Sequence, residues 1–440
     1  MLIASWLLIA LLATAPILAI ISGSFAQHVI SLATATVMAL AIRVPEAQIA
    51  SSAKLLKQFF LVLLLPVVWM TFQIFPTSTS SLANPIWSAT SIALNQPSLP
   101  GRISVDPGAT LHSLFLYLVD VSLLVSTVII SRDRRTAETI LFVLCAVTTL
   151  MSLEFLLSRL DSFAGIIPQT GAATNLFSAA AALAVLTNGA LVARALERHL
   201  HQQNMHNLAS PQLWAGIFSA LLGIAVAFAA LAALQNHTLV AVTGYGLTVL
   251  VFIAAVRRLG FRFWPSTLLF LVLAVIASAI SVPHALSGGL GLLGFVNLPP
   301  EAVAPAKHLL SDAPAWGNGL GTFRLTSIAY QEFGAVLAPP PSTAVLMAIE
   351  AGRSASTILA ALAAQFVLVN FRGAVQRGRD SFFAATAAAS IVVVLCESFL
   401  DSSLSNPTIQ AIVAVIVGLG LAQSVGRTSG ANHSAAGRAP

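Results

Sequence analysis

The chain has 440 residues, of which 57% are hydrophobic and only 8% are Asp, Glu, Lys or Arg. Soluble proteins carry about 25% charged residues, and a larger core does not explain the deficit, because long chains divide into separate, wettable domains. The net charge is only +6. Together with a mean hydropathy of +0.90, this composition excludes a soluble enzyme, a disordered protein and a nucleic-acid-binding domain, and indicates a polytopic membrane protein.

Twelve stretches are apolar over enough residues to cross a bilayer, which takes about 20 residues. In chain order they are 2–22, 27–43, 57–76, 110–130, 137–157, 173–193, 212–234, 238–256, 265–285, 353–371, 381–400 and 407–425. The first stretch lacks a basic flank and a clear cleavage site, which favours a membrane helix over a removed signal peptide. We expect an all-α transmembrane bundle of about 12 spans, with residues 1–425 as one membrane domain and 426–440 as a disordered cytoplasmic tail.

The basic residues alternate between the two sides of this map. With a cytoplasmic N-terminus, 16 of the 21 fall in cytoplasmic loops or the tail, and Arg102, Arg159, Lys307 and Arg324 fall on the other side. Arg353 lies at the start of a helix. Cytoplasmic loops are enriched in Lys and Arg, so the pattern predicts that both termini are cytoplasmic.

Two connections, at about 77–109 and 286–352, are longer than a helix bundle requires, and both fall on the outer side. Loops of this length are often functional. The cytoplasmic loops contain no phosphate-binding motif of the Walker type, so we expect any chemistry at the extracytoplasmic face. Ionisable residues also lie towards the outer ends of several predicted spans: Glu154, His237, His284, Glu397 and Asp401.

The second long loop contains the run Gly317-Asn318-Gly319-Leu320-Gly321. Alternating glycines expose backbone N–H groups that can approach an anion closely, although such runs are more often plain turns. Lys307, His308 and Arg324 flank the run. The cations suit a phosphate group, and the imidazole can act as a base near neutral pH.

Glu350 and Arg353 stand three residues apart, before the tenth predicted span. A guanidinium deep in the bilayer costs at least about 2.5 kcal/mol. Residues 354–371 are long enough to span alone, so we expect 341–352 to form an interfacial or re-entrant helix with Arg353 at the membrane boundary. Two interpretations remain open: a structural Glu350–Arg353 ion pair, or an Arg353 that is presented to a phosphate group and oriented by Glu350.

Several segments, in order, resemble the O-antigen ligase and polymerase family of bacterial inner-membrane glycosyltransferases. They are Pro66–Trp69 with Gln73 and Pro76, Asn84-Pro85-Ile86-Trp87, Ile103-Ser104-Val105-Asp106-Pro107 with Thr110, Asp312–Phe323, Ala348–Gly352, Glu397–Asp401 with Asn406-Pro407, and Gly418-Leu419-Gly420. The chain departs from the family where a His-Asn pair is expected (Pro340-Pro341-Ser342-Thr343), where a Ser-Arg-Gly run is expected (Gln235-Asn236-His237-Thr238) and near the sixth span (Gly171–Asn175).

The resemblance implies transfer or polymerisation of glycan from an undecaprenyl-diphosphate carrier to a glycan or lipid acceptor, at the periplasmic face of the bacterial inner membrane. It implies no metal and no cofactor, and possible association with other polysaccharide assembly proteins. We expect His308 and Glu350 to act as catalytic groups, and the diphosphate to be bound by Lys307, Arg324, Arg353, Gly317, Gly319 and Gly321. The departures leave open a catalytically inactive relative that binds the lipid carrier or partners an assembly machine. A small-solute transporter is disfavoured, because the halves show no repeat.

Overall fold

The computed structural model describes residues 2–21, 23–43, 46–77, 81–160, 171–203, 211–259, 300–330, 340–376 and 380–424. The regular secondary structure in these ranges is α-helical, with a 3₁₀ turn at Ser403–Ser405 and one isolated bridge between Pro76 and Arg102. The helices are α1 Leu2–Ala13, α2 Ala15–Ile20, α3 Gly23–Ala41, α4 Glu46–Lys57, α5 Phe60–Ile74, α6 Pro85–Ala93, α7 Pro107–Ile130, α8 Arg134–Ser158, α9 Gly171–Gln203, α10 Pro211–Ala233, α11 His237–Leu259, α12 Pro300–Asp312, α13 Phe323–Ile328, α14 Thr343–Glu350, α15 Arg353–Gln376, α16 Ser381–Glu397 and α17 Pro407–Ser424.

Nine described segments are long and apolar enough to cross a membrane, and each coincides with one of the predicted spans. They are Leu2–Ile20, Gly23–Ala41, Pro107–Ile130, Arg134–Ser158, Thr174–His199, Leu213–Ala233, His237–Leu259, Arg353–Gln376 and Pro407–Ser424. The predicted spans at 57–76 and 381–400 correspond to the shorter apolar helices Phe60–Ile74 and Ser381–Glu397. The predicted span at 265–285, His284 and the tail at 426–440 lie outside the described residues.

Capping residues explain where several helices begin. Asp106 accepts hydrogen bonds from the N–H groups of Gly108 and Ala109, and Pro107 occupies the first turn of α7, where no N–H is needed. Asn84 and Pro85 start α6 in the same way. Ser342 caps α14 by accepting from the N–H of Val345 at 3.2 Å.

The centre of the bundle is formed by α9 and α17. In the apolar windows of these two helices, 89% and 83% of residues are buried, against 28% in α10 and α15. The buried face of α9 is rich in alanine, including residues 179–182 and 184. Small residues let membrane helices approach closely, so this composition fits the crowded central position.

Polar contacts show that the helix ends lie in two groups, on opposite faces of the bundle. On the first, which we call the basic face, Glu138 lies 2.5 Å from Arg194 and 2.8 Å from Arg198, and Arg134 lies 3.0 Å from Asp380. Arg257 pairs with Glu197 there. Gln423, near the end of α17, donates to the carbonyl of Ser131 at 2.6 Å.

The second face, which we call the loop face, joins the other ends of the same helices. The residue after α16, Ser398, accepts from the N–H of Ala344 at 2.8 Å, and Asp401 contacts Ser178 near the start of α9. Beside them, α12, α13 and α14 form a small module with its own core. That core consists of Ala306, Leu309, Leu310, Phe323, Val345, Leu346, Ala348 and Ile349.

Candidate functional site at the loop face

Several segments that are far apart in the chain meet at the loop face. Gln73, near the end of α5, donates to the carbonyls of Trp316 at 3.0 Å and Glu350 at 3.1 Å. The carbonyl of Gln73 accepts from the N–H of Ser104 at 3.0 Å. Asn84 donates to the side chain of Asn318 at 3.1 Å. We call the set formed by Gln73, Ser104, residues 317–323 and Glu350 the glycine junction.

The glycines of this junction are required by its geometry. Gly317 and Gly319 have φ angles of +77° and +101°, which L side chains rarely adopt. A Cβ added to Gly317 would collide with the carbonyl of Glu350, and one added to Gly319 would collide with the hydroxyl of Ser104. The run is therefore a tight packing element between α7 and α14.

The backbone N–H groups of the glycine run bind the protein itself. Those of Asn318 and Gly319 donate to the carbonyls of Ile349 at 3.0 Å and Glu350 at 2.9 Å. The N–H of Leu320 donates to the side-chain oxygen of Gln73 at 3.3 Å. Those of Gly321 and Phe323 donate to the Glu350 carboxyl group. The acidic group that these N–H groups contact is an internal carboxyl and not a diphosphate, so Gly317, Gly319 and Gly321 do not form an open diphosphate cradle.

Glu350 is enclosed by this junction and only 4% exposed. Its Oε1 lies 2.8 Å from the N–H of Phe323. Burial raises the pKa of Glu350 to about 7, and the N–H groups of Gly321 and Phe323 oppose that rise. The carboxyl is thus placed to organise the loop rather than to reach a substrate, which departs from its predicted catalytic role.

Arg353 is the first residue of α15, a candidate span, as the sequence predicts. Its Nη2 donates to the carbonyl of Leu310 at 3.0 Å, near the end of α12. Glu350 accepts from backbone N–H groups instead. Of the two interpretations of this pair, the Glu350–Arg353 ion pair is therefore not found among the ion pairs of the described residues. Glycine is required between Glu350 and Arg353, because Gly352 has a φ of +89° and packs on the carbonyl of Ala315.

Lys307, His308 and Arg324 lie on the surface of the module. Ala306, Leu309 and Leu310 form the opposite side of α12 and enter the small core. The exposed Lys307 and His308 therefore point away from that core. Arg324 is exposed in the first turn of α13. Within the described ranges, no ion pair or side-chain hydrogen bond joins these three residues to one another or to Arg353.

Sequence reasoning did not single out Gln73 as a site residue, although its side chain is completely buried and contacts three segments of the junction. An amide within the apolar helix α5 was the available signal, since a polar group in such a helix needs partners. Trp69 on the same helix donates to the carbonyl of Ala351 at 3.0 Å. The end of α5 therefore anchors the module to the bundle.

Comparison with known proteins gives no family. No protein-family model matches the chain, and no curated protein matches it. Among the residues that the structure describes, no group of three or more His, Cys, Asp or Glu side chains is placed to hold a metal ion.

Proposed function

We propose that this protein is a membrane glycosyltransferase of the O-antigen ligase and polymerase type. It would transfer or polymerise glycan from an undecaprenyl-diphosphate carrier at the extracytoplasmic face of the bacterial inner membrane. The observation that carries the proposal is the glycine junction: segments that resemble the family, and that are far apart in the chain, pack together on the face opposite the basic one.

In this proposal the diphosphate binds at the surface of the module. Arg353 is exposed at the start of a candidate span, which favours a position of its guanidinium at headgroup level. Fixed cations at that level stabilise a departing diphosphate. Lys307 and Arg324 supply further positive charge, and the exposed His308 is the candidate base for the acceptor hydroxyl. Glu350 supports the loop from inside.

The alternative is an inactive relative that binds the lipid carrier or partners an assembly machine. The enclosure of Glu350 favours it, because this carboxyl binds backbone N–H groups and is closed to a ligand.

A deletion strain distinguishes the two functions. Loss or altered length of surface polysaccharide, restored by the wild-type chain but not by His308→Ala, supports transfer. Restoration by both chains supports the inactive relative.

Carrier binding is tested with Arg353→Ala and Arg324→Ala in detergent, using an undecaprenyl-diphosphate analogue. Loss of a charged contact to an anion costs about 1.5–3 kcal/mol, so the dissociation constant should rise about ten- to a hundredfold. Arg353→Lys should recover part of the affinity, since it restores charge but not the planar fork.

The matched control is Arg135→Ala, which removes an exposed positive charge beside the basic face. It should change binding by well under about 1 kcal/mol. Thermal unfolding of every variant separates lost binding from lost folding, since Arg353→Ala also removes the contact with Leu310. Unchanged affinity in both folded loop-face variants would place the carrier elsewhere and contradict the proposed diphosphate site.

A further inference from the structure

A pair of buried carboxyl groups lies at the loop face and has no part in the proposed transfer. Glu397, the last residue of α16, is 0% exposed, and Asp401, four residues later, is 8% exposed. The two residues are one helical turn apart, and the N–H of Asp401 donates to the carbonyl of Glu397 at 3.1 Å, so negative charges on both carboxyls would repel each other. None of the ion pairs in the described part of the chain includes either residue.

The two carboxyls have very different surroundings. Asp401 accepts from the N–H of Ser403 at 2.9 Å, and the hydroxyl of Ser178 lies 3.1 Å from its other oxygen. Both oxygens of Glu397 are buried and lack a hydrogen bond of normal geometry, and the nearby hydroxyl of Ser178 is shared with Asp401. An isolated buried carboxylate is strongly unfavourable, and two adjacent ones are more so, whereas a neutral carboxyl beside a carboxylate is stable.

We propose that Glu397 and Asp401 together bind one proton, and that this proton holds α14 in its docked position. Glu397 carries the proton, and Asp401, stabilised by its donors, is the charged partner. On deprotonation, the O–H bond of Glu397 breaks and the proton passes to the outer solution, which leaves two adjacent negative charges. Because Glu397 is fixed in α16, the turn that contains Asp401 is the part that moves.

That turn is attached directly to α14. The carbonyl of Asp401 accepts from the N–H of Thr343 at 2.8 Å and from its hydroxyl at 3.2 Å. The carbonyl of Ser398 accepts from the N–H of Ala344 at 2.8 Å. At its other end, α14 carries Glu350 and the glycine junction. Protonation of the pair is therefore linked, through one short helix, to the arrangement of the candidate site.

Other ionisable groups at this end of the neighbouring helices must be distinguished from the pair. They are Glu154 on α8 and Arg159 directly after it, His237 and Tyr245 on α11, Glu350 on α14, Arg353 on α15 and Cys396 on α16 itself. The adjacent ends of α9 and α17 carry no charged residue. Tyrosine and cysteine are ordinarily neutral at and below pH 7, so the carboxyls and His237 are the relevant competitors.

The direction of the pH effect follows from burial. Burial raises the pKa of Asp401, while the donors Ser403 and Ser178 oppose the rise. A pair that binds its proton more tightly when α14 is docked loses stability as pH rises from the ordinary carboxyl pKa towards the raised one. The docked state is thus favoured at low pH.

The test is amide hydrogen exchange at Thr343 and Ala344 in the full chain in detergent, from pH 4.5 to 8, corrected for intrinsic exchange rates. In the wild type, the opening equilibrium should rise by up to about tenfold per pH unit across the transition. Glu397→Gln, which keeps the shape but has no titrating proton, should remain protected throughout. Asp312→Asn, which alters an exposed carboxyl at the loop face, should behave as the wild type.

Three results would overturn the proposal. The first is hydrogen-exchange protection at Thr343 and Ala344 that does not vary with pH in the wild type. This result would overturn the proposal even if Glu397→Gln does not fold. The second is an unchanged pH response in folded Glu397→Gln, or a response abolished instead by Glu154→Gln. The third is recovery of protection at pH 8 on adding sodium or calcium chloride, relative to choline chloride, which would assign the pair to a metal cation.

Discussion

At the scale of single residues, Gly319 offers the most direct test of the glycine junction. Gly319→Ala places a Cβ against the hydroxyl of Ser104 at a φ of +101°. Backbone strain alone should lower the free energy of unfolding by about 1–3 kcal/mol. We expect a lower thermal midpoint in detergent and faster proteolysis of the module.

Gly244→Ala is the matched control for this substitution. Gly244 lies within α11, and a Cβ there meets nothing within 4 Å. Alanine is the better helix former by about 1 kcal/mol, so this variant should be as stable as the wild type or more stable. Equal stability of Gly319→Ala and Gly244→Ala would show that the run does not require glycine.

The sequence identifies the residue types of the junction better than their partners. The alternating glycines predict either a diphosphate-binding run or a plain turn, and Glu350 is predicted to act beside them. Only the packing shows that the N–H groups of this run bind the Glu350 carboxyl. The i, i+3 spacing of Glu350 and Arg353 predicts contact on a continuous helix. Gly352, with its φ of +89°, ends α14 and separates the two side chains.

At the scale of helices, Glu138 holds α8 against α9 on the basic face. It contacts Arg134 on its own helix and Arg194 and Arg198 on α9. Glu138→Ala leaves Arg194, whose side chain is only 12% exposed, without its carboxylate. Loss of such a charged contact should cost about 1.5–3 kcal/mol, measured as reduced stability to denaturant in detergent.

Arg198→Ala is the control for this contact, since it removes an exposed partner of the same carboxylate. The Arg198 side chain is 46% exposed, so its loss should cost under about 1 kcal/mol. If Arg198→Ala proved as costly as Glu138→Ala, the buried contact with Arg194 would not be the one that matters.

Sequence patterns predict the long helices well because their length and apolarity are set by the membrane. The spans at 110–130 and 137–157, for example, lie within Pro107–Ile130 and Arg134–Ser158. The ends of shorter helices depend on packing instead. Thus α16 ends at Glu397, and the turn after it contacts α14 through the carbonyls of Ser398 and Asp401. No periodicity in the sequence predicts this contact.

At the scale of the whole molecule, consecutive long helices alternate between the basic face and the loop face. In the series α7 to α9 and α15 to α17, each described helix ends on the face where the next one begins. Contacts of Ser131, Glu138 and Arg257 place one set of helix ends on the basic face, and the contact of Asp401 with Ser178 places others on the loop face. α11 ends at the basic face, whereas α12 lies at the loop face. This arrangement agrees with the alternation of basic residues in the sequence.

The orientation of these faces in the membrane is the last prediction. By the positive-inside rule, the basic face is cytoplasmic and the loop face is outside. In a chain with Cys145 and Cys396 replaced by alanine, Ser98→Cys should react with a membrane-impermeant maleimide on spheroplasts, whereas Arg135→Cys should react only after lysis. Both positions are exposed in the protein, so their labelling differs only through the side of the membrane on which they lie.

A reporter fused after Gly430 should report the cytoplasm, and one fused within 310–320 should report the external side. The reverse pattern would invert the map and place the glycine junction inside the cell, where an extracytoplasmic transferase could not work.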